Sequence, residues 1–320
     1  MGPEIIMKMD YELNRTEAYH VDQLNTLGWE LTVCNALHPP QTPLRKILAR
    51  DDSYGHLLYD YLCRLMPMAD IKEILEIGGG YGYLMRDFLD RNRSLRPCML
   101  DISPFLLERQ KESLEGREAM FRRENFLETD PTLLAGFDMA ILNENLGDFP
   151  TLISLGPELF QPSTQTDDSN LRRAFDLFEK YNFERPESGR FNFNIGAIEA
   201  LEKVCASGIP YVYLGEHSCE AAVPGHLQSM IHIDSQGTPE RIALKGHDEY
   251  SIKISYLEKV AHTFRYASVR GLFADFIPVD FTDRLRFILR SQGRYGDEDE
   301  MICQFVEDLY KYEYLVLTKQ

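Results

Sequence analysis

The amino-acid sequence predicts an α/β fold, a doubly wound and mostly parallel seven-stranded sheet with a helical N-terminal extension and an insertion after the fourth strand. Three observations predict it. From Ile71 onward, short apolar runs alternate with amphipathic stretches of helical period, the pattern of consecutive βαβ units. The first unit passes from strand to helix through the glycines of Gly78-Gly79-Gly80-Tyr81-Gly82. The second ends its strand on an acid, Asp101, and a helix begins at once at Ser103-Pro104.

Taken in order, residues 1–70 read as a mostly helical extension, expected to act as a lid. Its clearest helix runs from Ser53 to Met66, with Leu57, Leu58, Tyr61, Leu62 and Leu65 at helical spacing and Asp52 or Ser53 as cap. Before it, three prolines in His38–Pro43 each fix φ and remove a donor, which makes a loop or hinge. The α/β domain is expected over 71–320. Its first five strands are placed at Glu73–Ile77, Cys98–Ile102, Ala119–Arg123, Asp138–Asn143 and Tyr211–Gly215, with helices near Tyr83–Asn92, Pro104–Leu114 and Ile195–Cys205. Residues 151–192 break the alternation and read as an insertion, with a polar run at Gln165–Asn170 and a helix whose apolar face is Leu171, Ala174, Phe175 and Phe178. Ser255-Tyr256-Leu257-Glu258 has the form of a capping box opening a helix with Leu257, Val260, Ala261 and Phe264 on one face. Val269–Ile277 and Tyr314–Thr318 supply the last two strands.

Composition narrows the function. A chain of 320 residues, 44% hydrophobic, can bury a sizeable core. Its formal charge of -17 repels phosphates, so a nucleic-acid partner is not expected. The six cysteines (Cys34, Cys63, Cys98, Cys205, Cys219, Cys303) form no CxxC pair and read as reduced thiols of a cytoplasmic protein. The N-terminus carries Glu4, Asp10 and Glu12 rather than a basic segment followed by an apolar run, and no apolar stretch reaches membrane-spanning length. No membrane partner is expected.

The glycine turn carries the first chemical signal. Gly78, Gly80 and Gly82 let the backbone turn tightly and approach a ligand that a Cβ would block, and the helix start beyond favours a negative group. The spacing is GxGxG after Glu76, whereas a dinucleotide fingerprint is GxGxxG, so a nucleoside without a pyrophosphate is favoured. Glu76 at the strand end is placed to meet an amino group. Asp101, at the end of the next strand, stands where an acid holds ribose hydroxyls, with Ile102 beside it. Asn125 and Phe126, after the third strand, offer a polar contact and an apolar wall to a base.

These residues resemble those of the class I methyltransferases, Rossmann-like enzymes that use S-adenosylmethionine. Over roughly residues 71–277 the order of elements is similar too. Within that superfamily the sequence resembles the MidA-like family, whose mitochondrial members methylate protein arginine. The loop Glu76–Leu84 matches EIGxGxGxL. Asp101–Leu106 followed by Gln110 resembles the family's acid-x-Ser-Pro-x-Leu…Gln, and Asn143–Pro150 is similar to NExxDAxP with Asp148 one residue later. Glu249–Leu257 is a weaker match, with Ser251 and Lys253 where the family has Thr and His. The resemblance implies S-adenosylmethionine as cofactor, with Glu76 on the methionine part and Asp101 on the ribose. It implies a methyl acceptor, protein or small molecule, and the first expectation is transfer to a nitrogen, that of a protein arginine or another amine.

Asn143, Glu144 and Asp148 follow the fourth strand, at the sheet end where the methyl group is expected, and are the catalytic candidates. Two acids there can orient a guanidinium or an amine. Asn and Asp around Gly147 and Pro150 are also ordinary turn residues. Glu216 and His217, after the fifth strand, are candidates for the same cleft. His217, Cys219, His226 and His232 have ligand chemistry but match no compact zinc spacing, so no metal is expected of them. The remaining readings are a small-molecule methyltransferase closed by the extension and a noncatalytic scaffold that keeps the cofactor fold.

Overall fold

The computed structural model describes residues 10–26, 32–160, 167–186 and 189–320. The extension holds β1 (Glu12–Asn14), α1 (Glu17–Asp22), α2 (Val33–Ala36), α3 (Pro43–Lys46) and α4 (Tyr54–Leu62). Then come β2 (Glu73–Ile77), α5 (Tyr83–Arg91), β3 (Arg96–Asp101), α6 (Pro104–Ser113), β4 (Met120–Arg123) and β5 (Met139–Asn143). The insertion contributes β6 (Thr151–Leu155), α7 (Ser169–Tyr181) and β7 (Phe191–Phe193). The chain continues with α8 (Ile195–Ser207), β8 (Tyr211–His217), β9 (Arg241–Ala243), β10 (Asp248–Tyr250), α9 (Ile254–Thr263) and β11 (Tyr266–Leu272). It ends with α10 (Asp283–Arg290), α11 (Asp297–Lys311) and β12 (Tyr312–Lys319).

Seven strands form the main sheet in the order β11-β12-β8-β5-β2-β3-β4. β12 runs antiparallel to both neighbours, and every other pair from β8 to β4 is parallel. Side chains alternate across this sheet with period two, as the pleat requires. Ile74, Met99, Met139, Ile141, Tyr213, Tyr314 and Val316 enter one layer, shared with α4, α5, α10 and α11. Leu75, Ile77, Leu100, Ala140, Leu142, Val212, Leu214, Leu315 and Leu317 enter the other, shared with α7, α8 and α9. Both faces are covered, which is why these strands read as nearly continuous apolar runs. β2 lies between β3 and β5, and the chain leaves it in one direction before crossing back to the other side. That reversal opens a crevice at the carboxyl ends of the strands, where open α/β sheets take ligands.

The extension is less helical than its sequence suggests. β1 is a strand, pairing Glu12 with Ile153 of β6, and β6 pairs onward with β7 in a small antiparallel sheet. The proline loop ends at Thr42, whose side chain accepts from Arg45 N, because Pro43 is at the tolerated first position of α3. α4 stops at Leu62, and Asp52 accepts from Ser53 N while the Ser53 hydroxyl makes no cap bond. Leu37, Leu58 and Leu62 are fully buried. At roughly 1.5–3 kcal/mol per buried leucine, the stretch from α2 to α4 is part of the core.

Three further expectations are corrected. On α7 the buried face is Leu171, Ala174, Leu177, Phe178 and Tyr181, while Phe175 is among the exposed large hydrophobics. The expected capping box does not form: α9 begins at Ile254, and Ser255, inside it, gives its N–H and hydroxyl to the Glu220 carboxylate. β11 ends at Leu272, after which residues 273–275 turn in a single 3-10 turn. The start of the polar run, 165–166, and much of the insertion's first loop fall outside the described residues.

Candidate functional site: a glycine-walled cleft

A cleft of about 370 Å3 opens at the carboxyl ends of β2, β3 and β5. Its floor is Glu76, Ile77, Gly78, Gly79, Gly80, Asp101, Ile102, Asn143, Glu144, Asn145 and Asp148. Asn125 and Phe126 form one flank. The opposite wall comes from the extension, through Leu13, Arg15, Thr16, Glu17, His20, Thr32, Cys34 and Asn35. The insertion and the start of α8 add Asn170, Arg173, Ile195 and Glu199.

The glycines are there for two distinct reasons. Gly78 has φ +64°, and a Cβ on it would lie 2.5 Å from Asn145 Nδ2, so neither the backbone nor the neighbour admits a side chain. Asn145 in turn donates to Ile77 O, which ties the turn after β5 to the glycine loop. Gly82 is behind this wall as the left-handed N-cap of α5, where a Cβ would press on Gln110 Cα at 3.2 Å.

Glu76 is buried at the end of β2, and its Oε2 has no hydrogen-bond partner. Burial, reinforced by the Asp101 charge, pushes its carboxyl up to about 8. Asp101 is held on both oxygens. Oδ1 accepts from Ser103 N at 2.9 Å, and Oδ2 accepts from Gln110 Nε2 at 2.8 Å. Gln110 also reaches Gly80 O at 3.1 Å, so one amide clamps the glycine loop to the acid. Burial raises Asp101 to about 6 against those two hydrogen bonds. Asn125 caps the short turn that follows it, accepting from Leu127 N, and Phe126 is buried.

At the other end of the cleft the candidate acids are engaged. Glu144 has φ +53°, unusual for a residue with a side chain. That conformation turns its carboxylate onto the start of α2, where it accepts from Val33 N at 2.6 Å and Cys34 N at 3.2 Å. Asn143 Nδ2 donates to the same carboxylate, and Asn143 Oδ1 accepts from Tyr54 OH. Burial raises Glu144 to about 7 despite these donors. Asp148 pairs with His20 at 2.8 Å and His247 at 3.4 Å. Although burial opposes it, the two imidazoles hold Asp148 well below the usual carboxylate range.

Glu216 and His217 do not line the cleft. Glu216 lies beneath it, accepting from Leu146 N, Gly147 N and His217 N, and so fixes the turn that carries Asp148. Cys219 is buried and His217 half-buried while His226 and His232 are exposed, and among the described residues the four form no metal-ligating group. His20, Asn145 and Gln110 are the functional positions that motif reading leaves out of the site. Gln110 alone carries a readable signal, from its place in the matched pattern.

The buried, unpartnered Glu76 oxygen is a built acceptor for an ammonium group. Asp101 retains lone pairs toward the cleft for hydroxyls, and the glycine wall admits a ligand's close approach. The residues therefore fit an amino-acid-bearing nucleoside.

No family model matches the chain, and no curated protein matches it. Among solved structures, an uncharacterized COG1565 superfamily protein from Burkholderia thailandensis is similar at 12% identity and a TM-score of 0.53, over 90% of this chain and 86% of that one. A COG1565 superfamily member from the same organism, bound to S-adenosylhomocysteine, is similar at 12% identity and a TM-score of 0.50, over 87% of this chain and 77% of that one. The likeness shows the fold: the chain has the open, seven-stranded α/β architecture of the class I methyltransferases.

Proposed function

We propose that this protein is a methyltransferase that uses S-adenosylmethionine. The observation that carries the reading is the buried Glu76 oxygen without a partner, set in a glycine wall opposite Asp101. Glu76 takes the amino group of the methionyl part, Asp101 the ribose hydroxyls, and Ile102, Asn125 and Phe126 the base. Gly78 and Gly80 let the backbone approach, and Gly82 starts α5, whose N-terminus favours the carboxylate. The solved relative with S-adenosylhomocysteine bound lends support.

When bound, the sulfonium supplies a methyl group already activated for in-line displacement. The chain's part is then to orient the acceptor and exclude water. Asn143, Glu144 and Asp148 stand at the methyl end and fix the wall against which an acceptor is aligned. The extension and insertion act as the lid.

One observation favours a small-molecule acceptor over a protein arginine: the Glu144 carboxylate that would grip a guanidinium already holds two backbone N–H groups of the extension. The same wall, from β1 and α1 on one side and Thr32, Cys34 and Asn35 on the other, narrows the cleft that a protein chain would have to enter. The six free thiols, and the lack of any described helix able to cross a membrane, are in keeping with a cytoplasmic setting.

Calorimetry with S-adenosylmethionine and S-adenosylhomocysteine tests the cofactor, and heat from neither would sink the proposal. Labelled cofactor incubated with protein and a cell extract tests the acceptor. Label in small molecules is expected, and label confined to protein would replace that reading with the arginine one.

A further inference from the structure

Three segments distant in sequence meet at one corner of the cleft: α1, the turn after β5, and the β9–β10 hairpin. They bring His20 Nε2, Asp148 Oδ1 and His247 Nε2 together, all within 4.8 Å of one another. Both imidazoles present the same nitrogen to the same oxygen, at 2.8 and 3.4 Å. We propose that His20, Asp148 and His247 form a binding site for one divalent late first-row metal ion, with zinc the best match.

The donor set points there first. Two imidazoles and one carboxylate suit zinc and its neighbours, whereas calcium and magnesium demand oxygen ligands. Distances follow. A tetrahedral ion with bonds of about 2.1 Å spaces its ligand atoms about 3.4 Å apart, so the His247–Asp148 pair already fits and the His20–Asp148 pair must open by about half an ångström. Charge is the third argument. Glu249 Oε1 is 3.3 Å from His247 Nε2, which puts a second carboxylate beside the position, and a divalent cation balances the two acids.

The ligands are also held in place before any ion arrives. Tyr19 stacks on the His247 ring with centroids 4.2 Å apart. The hairpin can come that close only because Gly246, at φ +103°, has no Cβ, which would lie 2.6 Å from the Tyr19 ring. Thr16 Oγ1 donates to Asp148 O at 2.7 Å, fixing α1 to the turn. The support is packing and backbone contact rather than a hydrogen bond to the second ring nitrogen, since His247 Nδ1 has no partner in the protein.

Three protein ligands leave a fourth position. His20 and Asp148 line the cleft, while the His247 side chain is only 6% exposed, so that position opens toward the cleft. Resting on the methyl-transfer reading, the ligand that fills it is the acceptor, a small molecule offering a hydroxyl or carboxylate oxygen.

The test is a titration of the full chain, stripped with a chelator and free of any affinity tag, with Co2+ followed by its visible ligand-field absorption. One ion per chain is expected, displaced by Zn2+. His247→Ala and Asp148→Asn should each weaken binding by more than about 100-fold, since loss of a ligand costs more than loss of an outer partner. His226→Ala, at an exposed position elsewhere, should change nothing. His20→Ala, on short α1, serves if His247→Ala does not fold. A featureless titration of folded protein overturns the proposal, as does unchanged Co2+ affinity in the folded histidine variants. S-adenosylhomocysteine calorimetry on the same samples separates the two readings: homocysteine derivative bound without cobalt sinks the metal site alone, and cobalt bound without it removes the acceptor clause and the cofactor reading.

Discussion

Glu76→Gln changes one buried group, and it should move cofactor affinity and protein stability in opposite directions. Folding raises the Glu76 carboxyl from an ordinary 4.5 to about 8, first by burial and then by the Asp101 charge. The folded chain therefore keeps a proton that the unfolded chain has released. The resulting stability is intact below about pH 4.5 and is lost as the pH rises through 8. Between pH 5 and pH 8 the loss from this one group comes to about 3 kcal/mol, taking 1.36 kcal/mol per pKa unit. Glutamine does not titrate. Urea unfolding at the two pH values should show the variant gaining on the natural chain by about that amount as the pH rises.

Cofactor binding should run the other way. A charge-assisted hydrogen bond from an ammonium group is worth about 1.5–3 kcal/mol, so the variant should bind S-adenosylhomocysteine about 10- to 100-fold more weakly. In the natural chain, ionising Glu76 at pH 7 consumes about 1.4 kcal/mol of this gain, so the contrast should widen above pH 8. Binding at pH 7 should also release close to one proton, read by calorimetry in buffers of different ionisation enthalpy. Equal affinity in variant and natural chain above pH 8, or a stability difference that stays flat with pH, would refute the assignment of this oxygen to an amino group.

Gly78→Ala places a Cβ at φ +64° and against Asn145, and should cost about 1–3 kcal/mol in urea unfolding while abolishing S-adenosylhomocysteine binding. Gln110→Leu removes the amide that clamps Asp101 to Gly80, and adenosine affinity measured by calorimetry should fall about 10-fold, with Asp101 titrating higher for want of that donor. Glu144→Ala leaves the Val33 and Cys34 N–H groups without their acceptor, about 1–3 kcal/mol of local stability. Limited proteolysis should then cut the extension faster, with the sheet's amide exchange unchanged.

The glycine-walled half of the cleft was legible because its information is local. Strand, glycine turn and helix follow one another within Glu73–Leu84, and the backbone conformation they require is written in the glycines themselves. The strands of the main sheet were legible for a similar reason: covered on both faces, each is an apolar run that needs no partner to be recognised. β1 was not. Three residues long, it becomes a strand only by pairing Glu12 with Ile153 across the chain, and no local propensity records that. The Ser255 box failed on the same ground, since a distant carboxylate, Glu220, took the role that Glu258 would have filled. His20 and His247 were invisible as a pair, because what joins them is Asp148, on a third segment.

The residues that motif reading assigned to catalysis thus have another task that sequence did not disclose. Glu144 could have faced the cleft as a free carboxylate, yet its positive φ aims it at the start of α2, and Asn143 completes the junction through Tyr54. Strain at a non-glycine residue persists only where surrounding contacts fix it, and here those contacts join the carboxyl end of β5 to the extension. Asp148 makes the same connection to α1 through His20 and Thr16. The sheet end and the extension are therefore coupled at every acid the fourth strand delivers. On the proposed reading, the extension is then the part of the chain whose residues meet the acceptor, and variation there would change specificity while leaving the glycine wall as it is.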